Sequence, residues 1–332
     1  MANYLSSTGN MRRRHVLGLI ALPLFALIGC RPGDKAHGRV TGTFLQLWPE
    51  HGSLTSSEWN RRFSLLHELG YRDIILQWVA KEGGVSDWEL PTSALDNIFD
   101  AAHNHGFGIQ VGLPHDDRWT TVLRSTDHDD TLAFFDSTRR NILHYIGSSK
   151  APYHSAFRGW YIPYEIEQNS WADTSRRTML IRWLSELGTL LQKHTASPPT
   201  ISTYYSRLTS SITLDNLWRE ILNSASLRPM IQDGVGVAGL ENYRNLEPLR
   251  KLFIERNIKW DLIIELFEEL PSGNKDGTTF RAQTAAYSTI RKQLEIARHY
   301  GAQSNFAFAA DPWLIGSNSR AKALMKRWKQ GM

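Results

Sequence analysis

The sequence predicts an α/β chain folded as one (β/α)8 (TIM) barrel. Short apolar runs alternate with helical patterns eight times over about 290 residues, the count for that barrel. No glycine-rich phosphate turn follows the first strand, where Pro49-Glu50-His51-Gly52-Ser53 stands instead, which argues against an open doubly wound sheet. No Walker-type loop, internal repeat or second domain is visible.

The strand-like runs are 41–48, 73–79, 107–113, 159–165, 200–205, 229–233, 260–267 and 305–309. The helical patterns are 56–69, 94–105, 129–146, 176–194, 214–224, 246–256, 280–300 and 320–329. Several carry their own boundaries. Thr55 and Glu58 form a capping box, and Gly70, Gly106 and Gly301 stand where helices close. Pro248 is placed in the first turn of its helix, where a missing N–H costs least.

Ahead of the barrel, Arg12, Arg13 and Arg14 precede an apolar run from Val16 to Ile28 that ends in Gly29 and Cys30. This is the pattern of an export signal, too short for a comfortable membrane span. Leu27-Ile28-Gly29-Cys30 resembles the bacterial lipobox, which implies cleavage before Cys30 and acylation there. The domains expected are a signal over 1–30, a tether over 31–39 and the barrel over 40–332. Arg31 follows the cysteine, with no aspartate to retain the protein at an inner membrane. The expected location is the cell envelope, periplasmic or outer-membrane in a Gram-negative cell, with the membrane as a partner through lipidated Cys30. Cys30 is the only cysteine, so no disulfide forms within one chain.

The net charge of +5 falls to +2 once the first 30 residues are removed, leaving 35 basic against 33 acidic residues. That is too weak to argue for nucleic acid. A monomer is expected, with no cofactor and no metal.

The candidate chemistry comes from period two. In 260–267 the residues Trp260, Leu262, Ile264 and Leu266 share one face, and Ile263 and Glu265 the other. In 158–167 Trp160, Ile162, Tyr164 and Ile166 share one face, and Tyr161, Pro163 and Glu165 the other. If the uniformly apolar faces pack on helices, the barrel interior receives Phe44 and Gln46, Ile75 and Gln77, and Gln110. It also receives Ser202 and Tyr204, Met230 and Gln232, and Asn305, Ala307 and Ala309. A structural barrel core is dominated by Val, Ile and Leu, so this polar set is unusual and each member needs partners. Glu165 and Glu265, both near strand C-termini, are the catalytic candidates.

The loops beyond the strands are rich in aromatics, among them Trp48, Trp78 and Trp313, in a chain with 12 tryptophans. Indole rings stack on the C–H faces of sugars, and Gln, Asp and Glu meet their hydroxyl edges. The substrate-binding candidates are Gln46, Trp48, Gln77, Trp78, Gln110, Tyr164, Tyr204, Gln232, Asp233 and Trp313. Competing chemistries are poorly supported. His115-Asp116-Asp117 and 127–130 lack a recognised metal spacing, no G-x-S-x-G elbow is present, and no lysine sits mid-strand.

Glutamates ending strands four and seven, with Trp313 after strand eight, resemble the arrangement of retaining clan A glycoside hydrolases. The resemblance implies Glu165 as acid/base and Glu265 as nucleophile. The clan's Asn-Glu pair at strand four is Tyr164-Glu165 here. A broader resemblance rests on 43–48, 75–78, 159–165, 232–236 and Trp260-Asp261. These are similar to a bacterial family named domain of unknown function 4434, whose members resemble barrel glycoside hydrolases and are often exported.

The expectation is therefore an exported, lipid-anchored glycoside hydrolase acting on a polysaccharide or oligosaccharide. A non-catalytic glycan-binding lipoprotein and a structural envelope protein are the alternatives. Glu165, flanked by Tyr164, is expected to hold a proton near neutral pH. Glu265 is expected to stay ionised, with Tyr204 and Gln232 as its donors.

Overall fold

The computed structural model describes residues 39–271 and 280–331. The signal segment, Cys30 and the tether up to residue 38 lie outside the described residues. The strands are β1 (Val40–Leu45), β2 (Asp73–Leu76), β3 (Ala80–Glu82), β4 (Trp88–Glu89), β5 (Gly108–Gly112) and β6 (His115–Asp116). They continue with β7 (Phe157–Ile166), β8 (Thr200–Thr203), β9 (Arg228–Gln232), β10 (Asp261–Glu265), β11 (Phe267–Glu269), β12 (Ala282–Thr284) and β13 (Asn305–Phe308). The helices are α1 (Ser56–Glu68), α2 (Thr92–Asn104), α3 (Trp119–Arg124), α4 (His128–Ser148), α5 (Thr174–Gln192) and α6 (Leu214–Ser224). After them come α7 (Val235–Ala238), α8 (Asn242–Glu255), α9 (Tyr287–Tyr300), α10 (Ala310–Trp313) and α11 (Ser319–Gly331).

Eight strands close into a parallel barrel in the order β1-β2-β5-β7-β8-β9-β10-β13 and back to β1. The fold is the (β/α)8 barrel that the alternation predicts. Two kinds of core follow from the pleat. Outward residues such as Ile74, Ile162, Ile231 and Ile264 pack against the helices. Phe44, Ile75, Tyr161, Met230, Ile263 and Phe306 fill the interior, where Phe44 meets Tyr161 edge-on at 5.4 Å between ring centres. The barrel is plugged through its middle, so chemistry must sit at a mouth.

The capping box at Thr55 and Glu58 forms as expected. Three expectations are corrected. On β13 the parity is reversed: Phe306 lies in the interior core and Ala307 in the outer one, and the Asn305 amide donates to the Arg39 carbonyl. Ala309, past the strand end, does reach the interior. Beyond Asn305 the run is apolar on both faces, and Asn305, at the start of the strand, spends its amide on the Arg39 carbonyl, so it does not mark the interior face. The helix expected over 280–300 begins only at Tyr287, because Ala282–Thr284 pairs antiparallel with Phe267–Glu269 as a separate hairpin. The helix holding Pro248 starts at Asn242, so the proline lies inside it rather than in its first turn.

Candidate active site

Four interior positions repeat one pattern. Gln46 lies two residues beyond Phe44, Gln77 beyond Ile75, Gln232 beyond Met230, and Glu265 beyond Ile263. Each core residue is followed on the same face by a polar one, so the polar layer caps the plug at the C-terminal mouth. Glu165, four residues beyond Tyr161, and Tyr204, two beyond Ser202, join it; Ser202 and Tyr161 share a 2.8 Å hydrogen bond below them.

Glu165 remains partly accessible, and its Oε1 accepts from Gln232 Nε2 at 2.8 Å. Burial raises its pKa, and the Gln232 amide opposes that rise. Glu265 is buried, and its Oε2 accepts from the Gly236 amide at 2.8 Å. Its pKa stands well above the ordinary value, first through burial, then through the charge of Asp233, with Glu165 adding less. The expected donors to Glu265 are thereby corrected. Gln232 serves Glu165, while a backbone N–H from the turn after β9 serves Glu265. The side chain of strand six reaches across to strand four instead of to its neighbour.

That turn, Asp233-Gly234-Val235-Gly236, is built for the contact. Gly234 sits at φ +62°, and a Cβ there would come 2.4 Å from Asn242 Nδ2. A Cβ on Gly236 would lie 2.6 Å from the Phe267 carbonyl and 2.9 Å from Glu265 Oε2. Only glycine lets the amide approach the carboxyl so closely.

Asp233 is not in the cleft; it is fully buried behind the turn. Its Oδ1 accepts from the Val235 and Glu265 amides at 3.1 and 3.3 Å. Its Oδ2 accepts from Gln293 Nε2 at 2.8 Å and Tyr243 Oη at 3.2 Å. Sequence reasoning missed Tyr243 and Gln293, which come from α8 and α9; both read as ordinary helix residues, and no local signal marks them.

Two more candidates are displaced. Tyr164 points outward into the layer between barrel and helices, with rings of His115, Trp119 and Trp183 around it, and its hydroxyl accepts from the Asp116 amide at 3.0 Å. The period-two reading that turns Glu165 inward necessarily turns Tyr164 outward. Gln110 does face the interior, but its amide accepts from the hydroxyl of Thr200, the first residue of β8. It pairs with Gly159, six residues before Glu165, so roughly 20 Å of strand separates the two levels.

The rim divides by chemistry. On the β1–β2 side Trp48 is 38% exposed and meets Trp78 at 5.7 Å, while the Trp78 indole N–H donates to the Leu47 carbonyl. Lys81 lies over both rings and is held by Asp117 at 2.9 Å. Asp116 is occupied by Arg118. Together these account for the acids of the 115–117 cluster. On the β10–β13 side Phe267 touches Phe308 at 6.3 Å and Trp313 at 5.8 Å. The opposite half, β7 to β9, contributes Glu165, Tyr204 and Gln232. A surface groove of about 940 Å³ lies elsewhere, on the outside between α4 and α5, lined by Leu132, Phe135, Met179 and Trp183.

The fold and site together are a closed parallel (β/α)8 barrel with two glutamates at its C-terminal mouth and aromatics around the rim. The chain is a member of the family described as domain of unknown function DUF4434, whose model matches residues 40–321. Among solved structures it is similar to a candidate α-L-fucosidase from Bacteroides thetaiotaomicron VPI-5482, with 17% identity and a TM-score of 0.62 over 90% of this chain and 96% of that one. A β-galactosidase from the psychrophilic Marinomonas ef1 matches with 10% identity and a TM-score of 0.54, over 88% of this chain and 59% of that one. An endo-1,4-β-mannanase from Rhizomucor miehei matches with 12% identity and a TM-score of 0.53, over 88% and 94%. At these identities the likeness is one of fold. No curated protein matches the chain.

Proposed function

We propose that this protein is an exported, lipid-anchored glycoside hydrolase that cleaves a polysaccharide or oligosaccharide with Glu165 and Glu265. The observation that supports this most is the pairing itself. Two glutamates open to one mouth, each with its own hydrogen-bond donor, and each is made harder to ionise by burial. One carboxyl must arrive protonated and the other ionised for glycosidic cleavage. The protonated one gives its proton to the glycosidic oxygen as the C–O bond breaks, and the bonding pair stays on the leaving oxygen. The ionised one stabilises the positive charge at the anomeric carbon, and one water completes the hydrolysis. Trp48 and Trp313 are proposed as stacking surfaces, with Gln46, Gln77, Gln232 and Tyr204 meeting hydroxyl groups.

The test is digestion of a broad polysaccharide panel by the mature domain, beside its Glu165→Gln and Glu265→Gln variants. The reading predicts new reducing ends from the wild type and none above background from either variant. Sugar binding by the wild type without cleavage of any bound glycan would favour a binding protein on the same scaffold.

A further inference from the structure

We propose that Asp233 is a positioning residue that keeps its own negative charge and thereby holds the resting proton on Glu265, leaving Glu165 as the ionised partner. This deepens the glycosidase reading and reverses the roles that the clan resemblance implies.

The two carboxyls differ in the number of donors that serve them. Asp233 accepts four hydrogen bonds, from two backbone amides, the Tyr243 hydroxyl and the Gln293 amide. Donors to a carboxylate favour its charged form. Among the described residues the Glu265 carboxyl accepts from one, the Gly236 amide. Two neighbouring carboxyls in a water-poor site share one proton, and it goes to the less well solvated group. That group is Glu265.

Two of these contacts also tie Asp233 to Glu265. The Glu265 amide donates to Asp233. Gln293 spans them, donating to Asp233 Oδ2 and to the Glu265 carbonyl at 3.0 Å. Asn242 fixes the Asp233 carbonyl at 2.8 Å, which holds the glycine turn in place. Glu165 differs in each respect, being partly accessible and paired with a neutral amide. The titratable groups facing this pair are Glu165 from β7, Tyr243 from α8 and Tyr300 from α9. Both tyrosines stay neutral, because burial raises their phenols. Among the described residues, no cation is among the groups that act on Glu265. The directions agree: burial pushes Asp233 up to about 6, against its donors, and Glu265 stands well above its ordinary value with Asp233 as the leading charge.

The test reads protonation directly and needs no substrate. Mature protein labelled with 13C at the glutamate side-chain carboxyls is titrated by NMR, and the Glu265 signal is identified by its loss in Glu265→Gln. Glu265 should titrate above Glu165. Asp233→Asn should lower the proton affinity of Glu265 more than tenfold. If that variant does not fold, Tyr243→Phe, which removes one donor from Asp233, should move the proton toward Asp233 and lower the affinity of Glu265 by about threefold. A Glu165 that titrates above Glu265, or a Glu265 midpoint unmoved by the folded variant, overturns the assignment. Failure of the digestion screen alone would leave these titrations intact, so the two readings fail separately.

Discussion

Glu265 shows how one side chain collects several constraints. Period two sent it into the barrel, its place at a strand end put it at the mouth, and the turn after β9 supplies its donor. The first two were legible in the sequence. The third was not, because a backbone N–H has no residue identity to read. Asp233 was misread for a related reason: it stands one residue past β9, where strand alternation no longer applies and the turn decides which way a side chain points. Gln110 was oriented correctly and misplaced in height, because alternation fixes a face and says nothing about level. One residue-scale prediction concerns turnover. On a glycan that the protein cleaves, Glu265→Gln should lower kcat by about a thousandfold while binding persists, as measured by calorimetry beside initial rates. Another concerns stability. A carboxyl whose folded pKa exceeds its unfolded value binds protons more tightly when folded, so stability falls as pH rises through that interval. For Asp233 the interval runs from the ordinary aspartate range up to about 6, and for Glu265 it extends upward from the ordinary glutamate range. Glu265→Gln removes one such group. Its melting temperature should therefore gain on the wild type as pH rises from about 4.5. A difference that is flat with pH would show that Glu265 is not held protonated.

At the scale of elements, the legible parts were those with one polar and one apolar face. β7 and β10 have that contrast and were oriented correctly. β13 lacks it, and its parity came out reversed. The hairpin of β11 and β12 was hidden because Phe267 looks like a continuation of β10. In the structure the barrel strand ends at Glu265, and Phe267 turns to pair with Thr284. The glycine turn is the element on which the site depends most. Gly236→Ala would set a methyl group against the Phe267 carbonyl and Glu265 Oε2, and backbone gives way less easily than a side chain. The expected cost is about 1–3 kcal/mol, measured by urea unfolding, with loss of the Gly236–Glu265 hydrogen bond. Gly234→Ala adds left-handed strain of roughly 1–2 kcal/mol to a clash with Asn242.

For the whole molecule, the barrel has two unlike ends. The N-terminal end carries structural charge: Arg228 grips the fully buried Asp261 with two hydrogen bonds of 2.7 and 2.6 Å. Arg228→Ala would strand that carboxylate and should cost about 3 kcal/mol in chemical denaturation without altering the mouth. The C-terminal end carries the glutamates and the aromatic rim. The chain enters the barrel at Val40, the first residue of β1, and so at the end opposite the mouth. An acyl anchor at Cys30 would be joined to Arg39 by eight intervening residues, a reach of about 30 Å at most. The chain thus joins the barrel at the end that carries Arg228 and Asp261, away from the strand ends that carry the glutamates. Anchoring and cleavage should then be separable. Cys30→Ser should move the protein from the membrane to the soluble fraction, and mass spectrometry should find no acyl group on it. Its kcat/KM on a soluble glycan should stay within about twofold of the anchored protein's, because the 1.4 kcal/mol of a tenfold change would require contact between anchor and mouth. A variant that still fractionates with membranes, beside a wild type without lipid, would remove the anchor. A released variant with much lower activity would instead mean that the lipid end reaches the site.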